Sequence, residues 1–260
     1  LFGVKGQFQF GKLTLTGVFS EQRSQTSSIN IQGGATTTEF EIWGDEYEAN
    51  RHFFLSQYFR SKYEDWLDNP PQIISPVNVT KVEVWVTNTR QATEDVRDLV
   101  AFMDLGENKN GAYRNNLPGP DIFAGANPQQ FPDNDNNALD PQQLQADYPR
   151  IRDASRANQI LSGAGFEEAT EYIQLTNARK LRPSEFTFHP QLGYVSLATS
   201  LNQDEVVAVA FQYTAGGRTY QVGEFSTDWV TPPNALVVKM LKSTILNVKL
   251  TMWDLMMKNI

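Results

Sequence analysis

The stretch Phe2-Gly3-Val4-Lys5-Gly6-Gln7-Phe8-Gln9-Phe10-Gly11-Lys12-Leu13-Thr14-Leu15-Thr16-Gly17-Val18-Phe19-Ser20 opens the chain and alternates along most of its length. Phe8 and Phe10 fall on one side with Gln7 and Gln9 on the other, and Leu13 and Leu15 alternate with Thr14 and Thr16. A repeat of two is that of a strand, whose successive side chains point to opposite faces. The phase slips at Gly11-Lys12, which marks a bulge or a turn, because an odd step exchanges the two faces. Two readings fit. An ordinary half-buried strand alternates in this way, and so does a strand of a transmembrane barrel, which needs about 9–11 residues.

Outward from this start, residues 21–38 are rich in Ser, Thr, Gln and Gly and close on Gly33-Gly34 and a Thr run. That composition is a polar linker, and it sets residues 1–20 apart as a barrel strand or flanking hairpin. Glu39-Phe40-Glu41-Ile42-Trp43 then alternates again. From Asp45 to Leu67 the period changes, with Phe54, Tyr58, Phe59, Tyr63, Trp66 and Leu67 at helical steps. This predicts a helix, stopped by Asp68-Asn69-Pro70-Pro71 because proline lacks the amide donor.

Thr80 to Thr87 reads as a strand, with Val82, Val84 and Val86 opposite Lys81, Glu83 and Trp85. Val96 to Leu105 fits either period and is read as a strand because Gly106 and a polar loop follow. Residues 108–141 carry Pro118, Pro120, Pro128, Pro132 and Pro141 among many Asn, Asp and Gln residues. A long irregular loop of this kind is functional or disordered. Pro149 to Gly163 predicts a second helix ending at Gly163-Ala164-Gly165. The last third reads as a meander: Glu185–Phe188 and Tyr194–Ala198 around a His189–Gly193 turn, Val206–Tyr213 and Thr219–Phe225 around Gly216-Gly217, then Leu236–Leu241. The expected class is α+β, mostly antiparallel strands with a few helices, with residues 39–260 as one mixed soluble domain.

Composition narrows the function. At 260 residues the chain can bury a substantial core without staples. Cys is absent, which removes disulfides, thiolate nucleophiles and sulfur metal sites. The mean hydropathy of -0.43 and the lack of a long apolar run argue against a membrane-spanning helix, though not against barrel strands. A net charge of -8 with no basic block makes nucleic acid and anionic membrane surfaces poor partners. The chain starts at Leu1 without a signal-peptide pattern and ends on Trp253-Asp254-Leu255-Met256-Met257-Lys258-Asn259-Ile260, so a piece of a longer protein is expected.

Chemistry-bearing motifs are sparse. Asp133, Asp135 and Asn137 occupy positions 1, 3 and 5 of a calcium-loop pattern, but Ala138 stands where Gly is wanted and Leu144 where the bidentate Glu belongs. The alternative is a solvated loop whose side chains bond their own backbone. Only His52 and His189 titrate near neutral pH by type. Nucleophile elbows, zinc-protease helices, phosphate loops and dinucleotide fingerprints are absent from the sequence, so no catalytic residue, cofactor or enzyme activity is expected. Trp43, Trp66, Trp85, Trp229 and Trp253 could line a sugar platform or sit in a core.

Several blocks resemble one family. They are Gly3–Ser20 as quoted, Asn50-Arg51-His52-Phe53-Phe54-Leu55-Ser56-Gln57-Tyr58-Phe59-Arg60, and Leu99-Val100-Ala101-Phe102-Met103-Asp104-Leu105-Gly106-Glu107. Next come Asn177-Ala178-Arg179-Lys180-Leu181 and His189-Pro190-Gln191-Leu192-Gly193-Tyr194. Tyr220-Gln221-Val222-Gly223-Glu224-Phe225-Ser226, Lys239-Met240-Leu241-Lys242 and Met252–Asn259 complete the set. Together they resemble the SprA (Sov) family, outer-membrane translocons of the Bacteroidetes type 9 secretion system with a part in gliding motility.

The resemblance implies a single-chain outer-membrane β-barrel that passes folded cargo, with PorV-like and plug subunits as partners. Residues 3–19 would then be a barrel strand or its end, and the remainder a soluble insertion, extracellular rather than periplasmic because barrel loops are longer outside. It supplies no catalytic residues. Partner-facing residues are expected in the loop from Asn108 to Pro141. The rival reading from composition alone is a surface glycan-binding or adhesin domain.

Overall fold

The computed structural model describes residues 2–10, 13–21, 47–114, 117–126 and 128–258. The chain divides into two units, Leu1–Trp43 and Gly44–Ile260. In the first, β1 (Phe2–Phe10) and β2 (Leu13–Glu21) pair antiparallel. Gly11-Lys12, where the phase slips, lies outside the described residues. Register sets Val4 opposite Phe19, Phe8 opposite Leu15 and Phe10 opposite Leu13, and in between sets Gln7 opposite Thr16 and Gln9 opposite Thr14. Apolar and polar pairs thus alternate over Gln7–Phe10 against Leu13–Thr16, whereas Lys5 faces Val18 and Phe2 faces Glu21. The linker at 22–38 and the strand expected at Glu39–Trp43 lie outside the described residues.

The second unit runs β3 (His52–Phe54), α1 (Gln57–Trp66), β4 (Val77–Val86), β5 (Val96–Phe102), α2 (Pro141–Asp147), α3 (Ala157–Gly163) and β6 (Tyr172–Lys180). It continues with β7 (Phe186–His189), β8 (Tyr194–Leu197), β9 (Val207–Ala215), β10 (Arg218–Val222) and β11 (Leu236–Lys242). Five strands close on themselves in the order β4-β9-β11-β5-β6 and back to β4. Every pair in this barrel is antiparallel except β11–β5, which is parallel. One edge of β9 is shared: its first half pairs with β11 and its second half with β10. β3, β8 and β7 form a separate antiparallel sheet.

The alternation along each barrel strand feeds two cores. One face gathers Trp85 from β4, Leu99 and Ala101 from β5, Ile173 and Leu175 from β6, Ala208 and Ala210 from β9, and Leu236, Val238 and Met240 from β11. This face is the lumen, because residues of non-adjacent strands in a closed barrel meet only through its interior, and the small alanines suit so narrow a barrel. The outward face, with Val84, Val100, Phe102, Val209, Phe211, Tyr213 and Val237, packs under α1, α2, α3 and the small sheet. A bulge between Val79 and Lys81 lets Val77 and Val79 share that outward core with Val82, Val84 and Val86. Among the described residues no helix is long and apolar enough to cross a membrane.

The class is as expected, mostly antiparallel strands with three α-helices among the described residues. Several expectations need correction. The helix read over Asp45–Leu67 begins only at Gln57, and Phe54 lies in β3, where the pair Phe53-Phe54 is buried between sheet and helix. The apolar spacing there mixed two elements. The helix read over Pro149–Gly163 is α3 alone, preceded by turns. The last third is not a meander, since β9 crosses to β4 and β11 inserts beside β5. Neither β6 nor α2 was anticipated.

Gly193, in the turn between β7 and β8, has φ +63, and a Cβ there would stand 2.1 Å from the Phe59 ring of α1. Backbone conformation and close approach both demand glycine at this point.

Candidate functional site

The long loop after β5 is held down by buried charge. Asp104 is buried and accepts the N–H groups of Tyr113 (2.9 Å) and Arg114 (2.8 Å). Burial pushes its carboxyl up to about 6, against the pull of those two bonds. Glu107 accepts the first amide of α1, Gln57 N–H (3.0 Å), and so takes the place of a cap, since Ser56 makes no side-chain capping bond. The same carboxylate lies 2.8 Å from the Nζ of Lys239, which is fully buried on β11. Lys239 also donates to the carbonyls of Met103 (2.9 Å) and Leu105 (3.2 Å), so each of its three protons has an acceptor.

Two more ion pairs lock the flanks. Arg114 pairs with Glu171 while donating to the Pro120 and Gly165 carbonyls. Arg152 forks onto both oxygens of Glu224 (2.7 Å each) and reaches the Ala235 carbonyl, and Glu224 in turn accepts Val237 N–H at the start of β11. Trp229, 62% exposed, lies 5.1 Å from the Arg152 guanidinium. Asn136 and Asn137, both buried, donate to the carbonyls of Gly106, Phe131, Asp104 and Glu107. Gly106 has φ +71, and a Cβ on it would meet Val222 at 2.7 Å. The described residues of the segment 103–141 thus form an ordered lid sewn to one end of the barrel; Asn115, Asn116 and Asn127 lie outside the described residues.

The calcium-pattern residues take separate parts in this stitching. Asp133 accepts Asn134 N–H and Gln221 N–H, and Asn137 faces inward as described. Asp135 instead lines an outer cleft of about 470 Å³ with Asp121, Asn137, Asp140, Gln143 and Asp147. Asp140 caps α2 through Gln142 and Gln143 N–H. Among the described residues no group of three His, Asp or Glu side chains is placed to hold a metal ion. The cleft is a concentration of negative charge without a cation among its lining residues.

His52 stands between Ser196 Oγ (2.8 Å from Nδ1) and Glu48 (2.8 Å from Nε2). The order Ser–His–Glu imitates a hydrolytic relay, and here it bridges β3 and β8 of the small sheet. It fastens the small sheet. His189, the other histidine, stacks on Tyr194 and accepts Leu192 N–H, and burial lowers its pKa. Trp66 and Trp85 are core residues, which takes both out of any sugar platform.

Sequence reasoning missed the buried ions, although the signal was present. Lys239 interrupts the apolar run Leu236-Val237-Val238-Lys239-Met240-Leu241, and Asp104 ends Leu99-Val100-Ala101-Phe102-Met103. A charge inside such a run is paired or it is not buried. The blocks Asp104-Leu105-Gly106-Glu107, Gly223-Glu224 and Lys239-Met240-Leu241-Lys242, which carry the family resemblance, supply these pins.

Compared with known proteins, the chain matches over residues 1–206 a family model, SprA_N, described as motility related/secretion protein. No curated protein matches it.

Proposed function

The chain belongs to the SprA_N family of motility-related and secretion proteins, and we propose that it is a non-enzymatic part of an outer-membrane protein-export translocon, that of type 9 secretion and gliding motility. In this reading β1 and β2 are neighbouring strands of the barrel wall. The unit 47–258 caps or lines the pore on the cell-surface side. Its partners are secreted cargo, PorV-like and plug subunits, and the rest of the same long chain.

The observation that carries the reading is the hairpin register. Strands of nine residues pair so that apolar and polar pairs alternate over their inner ends, Gln7–Phe10 against Leu13–Thr16, while Lys5 faces Val18 and Phe2 faces Glu21 further out. A two-stranded ribbon does not persist alone in water. An alternating ribbon of this length satisfies its backbone and its apolar positions together as part of a membrane barrel. The pinned lid supports the second half of the reading, because it presents a rigid acidic cleft.

The test is to replace residues 44–258 of the parent protein by a flexible linker, then measure parent level in the outer membrane and export of a reporter cargo. A parent that persists while the reporter stays in the periplasm supports a role in the transport path. Unchanged export with the parent present refutes it and favours a surface adhesin.

A further inference from the structure

Six consecutive residues after β11, Thr244-Ile245-Leu246-Asn247-Val248-Lys249, are exposed. Among them Ile245 is 43%, Leu246 42% and Val248 69% accessible, three of the few large apolar side chains of the described surface that are not covered. Ile245 and Leu246 continue into a shallow apolar cleft with Phe53, Met252, Trp253 and Met256. Lys249 and Lys258 flank the patch, and Asp254 nearby faces Arg60 at 3.8 Å, while the chain as a whole carries -8. Lys258 lies over the Trp253 ring at 4.8 Å.

The patch occupies a particular corner of the fold. Asn50 N–H points to the Met256 sulfur, Met257 N–H to the His52 carbonyl, and Phe53 bridges to Met256. The first described residues of this unit therefore lie beside the patch.

We propose that the corner formed by residues 244–249, Trp253 and Lys258 docks on a lipid surface bearing phosphate groups. Ile245, Leu246 and Val248 enter the headgroup–acyl boundary and exposed Lys249 meets the phosphates, while Lys258, whose Nζ donates to the Trp253 and Met256 carbonyls, adds positive charge beside it. An apolar tip backed by tryptophan and lysine is the chemistry of interfacial insertion. Local basic charge explains how an acidic chain approaches an anionic surface, since only charges within about 8–10 Å of the lipid act strongly at physiological salt. The inference stands apart from the membrane reading of the hairpin.

Because the chain contains no Cys, Val248→Cys gives a single site for an environment-sensitive fluorophore. Ala146→Cys on α2 serves as the reference and Phe8→Cys reports on the hairpin. Each labelled chain is mixed with phosphatidylcholine vesicles with and without phosphatidylglycerol, and quenching by iodide is measured. On anionic vesicles the 248 label is expected to lose quenching by about threefold or more while the 146 label stays unchanged, and Ile245→Asp with Leu246→Asp should abolish the protection.

If the 248 label stays fully quenchable while the 8 label is protected, the docking proposal is overturned and the hairpin reading stands. Protection at 248 with an open label at 8 upholds docking and sinks the hairpin reading. Protection at 248 only in outer membranes holding the parent protein, and never on vesicles, identifies a protein occupant and overturns the lipid proposal.

Discussion

The barrel lumen and the buried side chains of the lid that closes over one end of it are held by opposite means. The lumen is filled by Trp85, Leu99, Ala101, Ala208, Ala210, Val238 and their neighbours. The lid from Met103 to Pro141 is pinned by Asp104, Glu107, Lys239, Arg114, Arg152 and three asparagine side chains, including Asn134, whose carbonyl accepts Gly223 N–H. Apolar packing is non-directional and tolerates conservative exchange. A buried ion pair is directional and costly to break, because the remaining partner is left charged without compensation. The lid therefore gains a fixed shape from irregular backbone, which a loop resting on apolar contacts alone would not have.

The sharpest break in this comparison is Glu224→Ala, which strands the Arg152 guanidinium in the interior. A loss of about 3–5 kcal/mol in unfolding free energy, read from urea denaturation, is expected. Replacing both partners, as Arg152→Met with Glu224→Met, should recover much of it, since an apolar pair leaves no orphan charge. Equal losses in the single and double variants would mean that the pair is not what holds the lid.

The two regions also differed in how far they could be read beforehand. Val82, Val84 and Val86 against Lys81, Glu83 and Trp85 gave β4 its faces directly, and the glycines at 216 and 217 gave the β9–β10 hairpin. Those signals are local and periodic. The barrel closure was not legible, because pairing of β9 with β4 and of β11 with β5 joins residues more than a hundred positions apart. The short β3 was absorbed into the α1 pattern because Phe54 happens to keep a helical spacing to Tyr58. At the site, Asp133, Asp135 and Asn137 were read as one candidate set from their spacing, whereas the fold turns Asp133 and Asn137 to backbone groups and Asp135 outward. Polar pins are aperiodic, and their partners, such as Lys239 for Glu107, come from distant strands.

Acid titration separates the regions next. Asp104 carries a carboxyl raised to about 6 by burial, against about 3.9 in an unfolded chain. Between these values the folded state holds more protons, so the Asp104 contribution is most favourable below the lower value and is lost as pH rises through the upper one. Asp104→Asn should remove this slope, changing the pH dependence between those limits by up to about 3 kcal/mol. A slope identical in both proteins would show that Asp104 is not the group that titrates.

Overpacking the lumen tests the other side. Ala210 is fully buried and its Cβ lies 3.2 Å from where a Cβ on Gly223 would stand. Ala210→Leu should cost about 1–3 kcal/mol, as extra methylenes in a filled core do. A neutral result would reveal free volume inside the barrel.

The smallest expected effect on stability is the most informative about function. Asp121, Asp135 and Asp147 line the acidic cleft of the lid, and none of them is buried. Replacing all three by Asn should move the unfolding free energy by no more than about 1 kcal/mol, as surface changes do. It should nonetheless slow export of a cargo with a basic surface, and the slowing should shrink at higher ionic strength, because steering between exposed charges is screened by salt. If export is untouched at every salt concentration, the lid is rigid for a reason other than presenting this cleft. The partner-facing surface must then be sought elsewhere on the unit, with exposed Trp229 beside Arg152 as the next place to look.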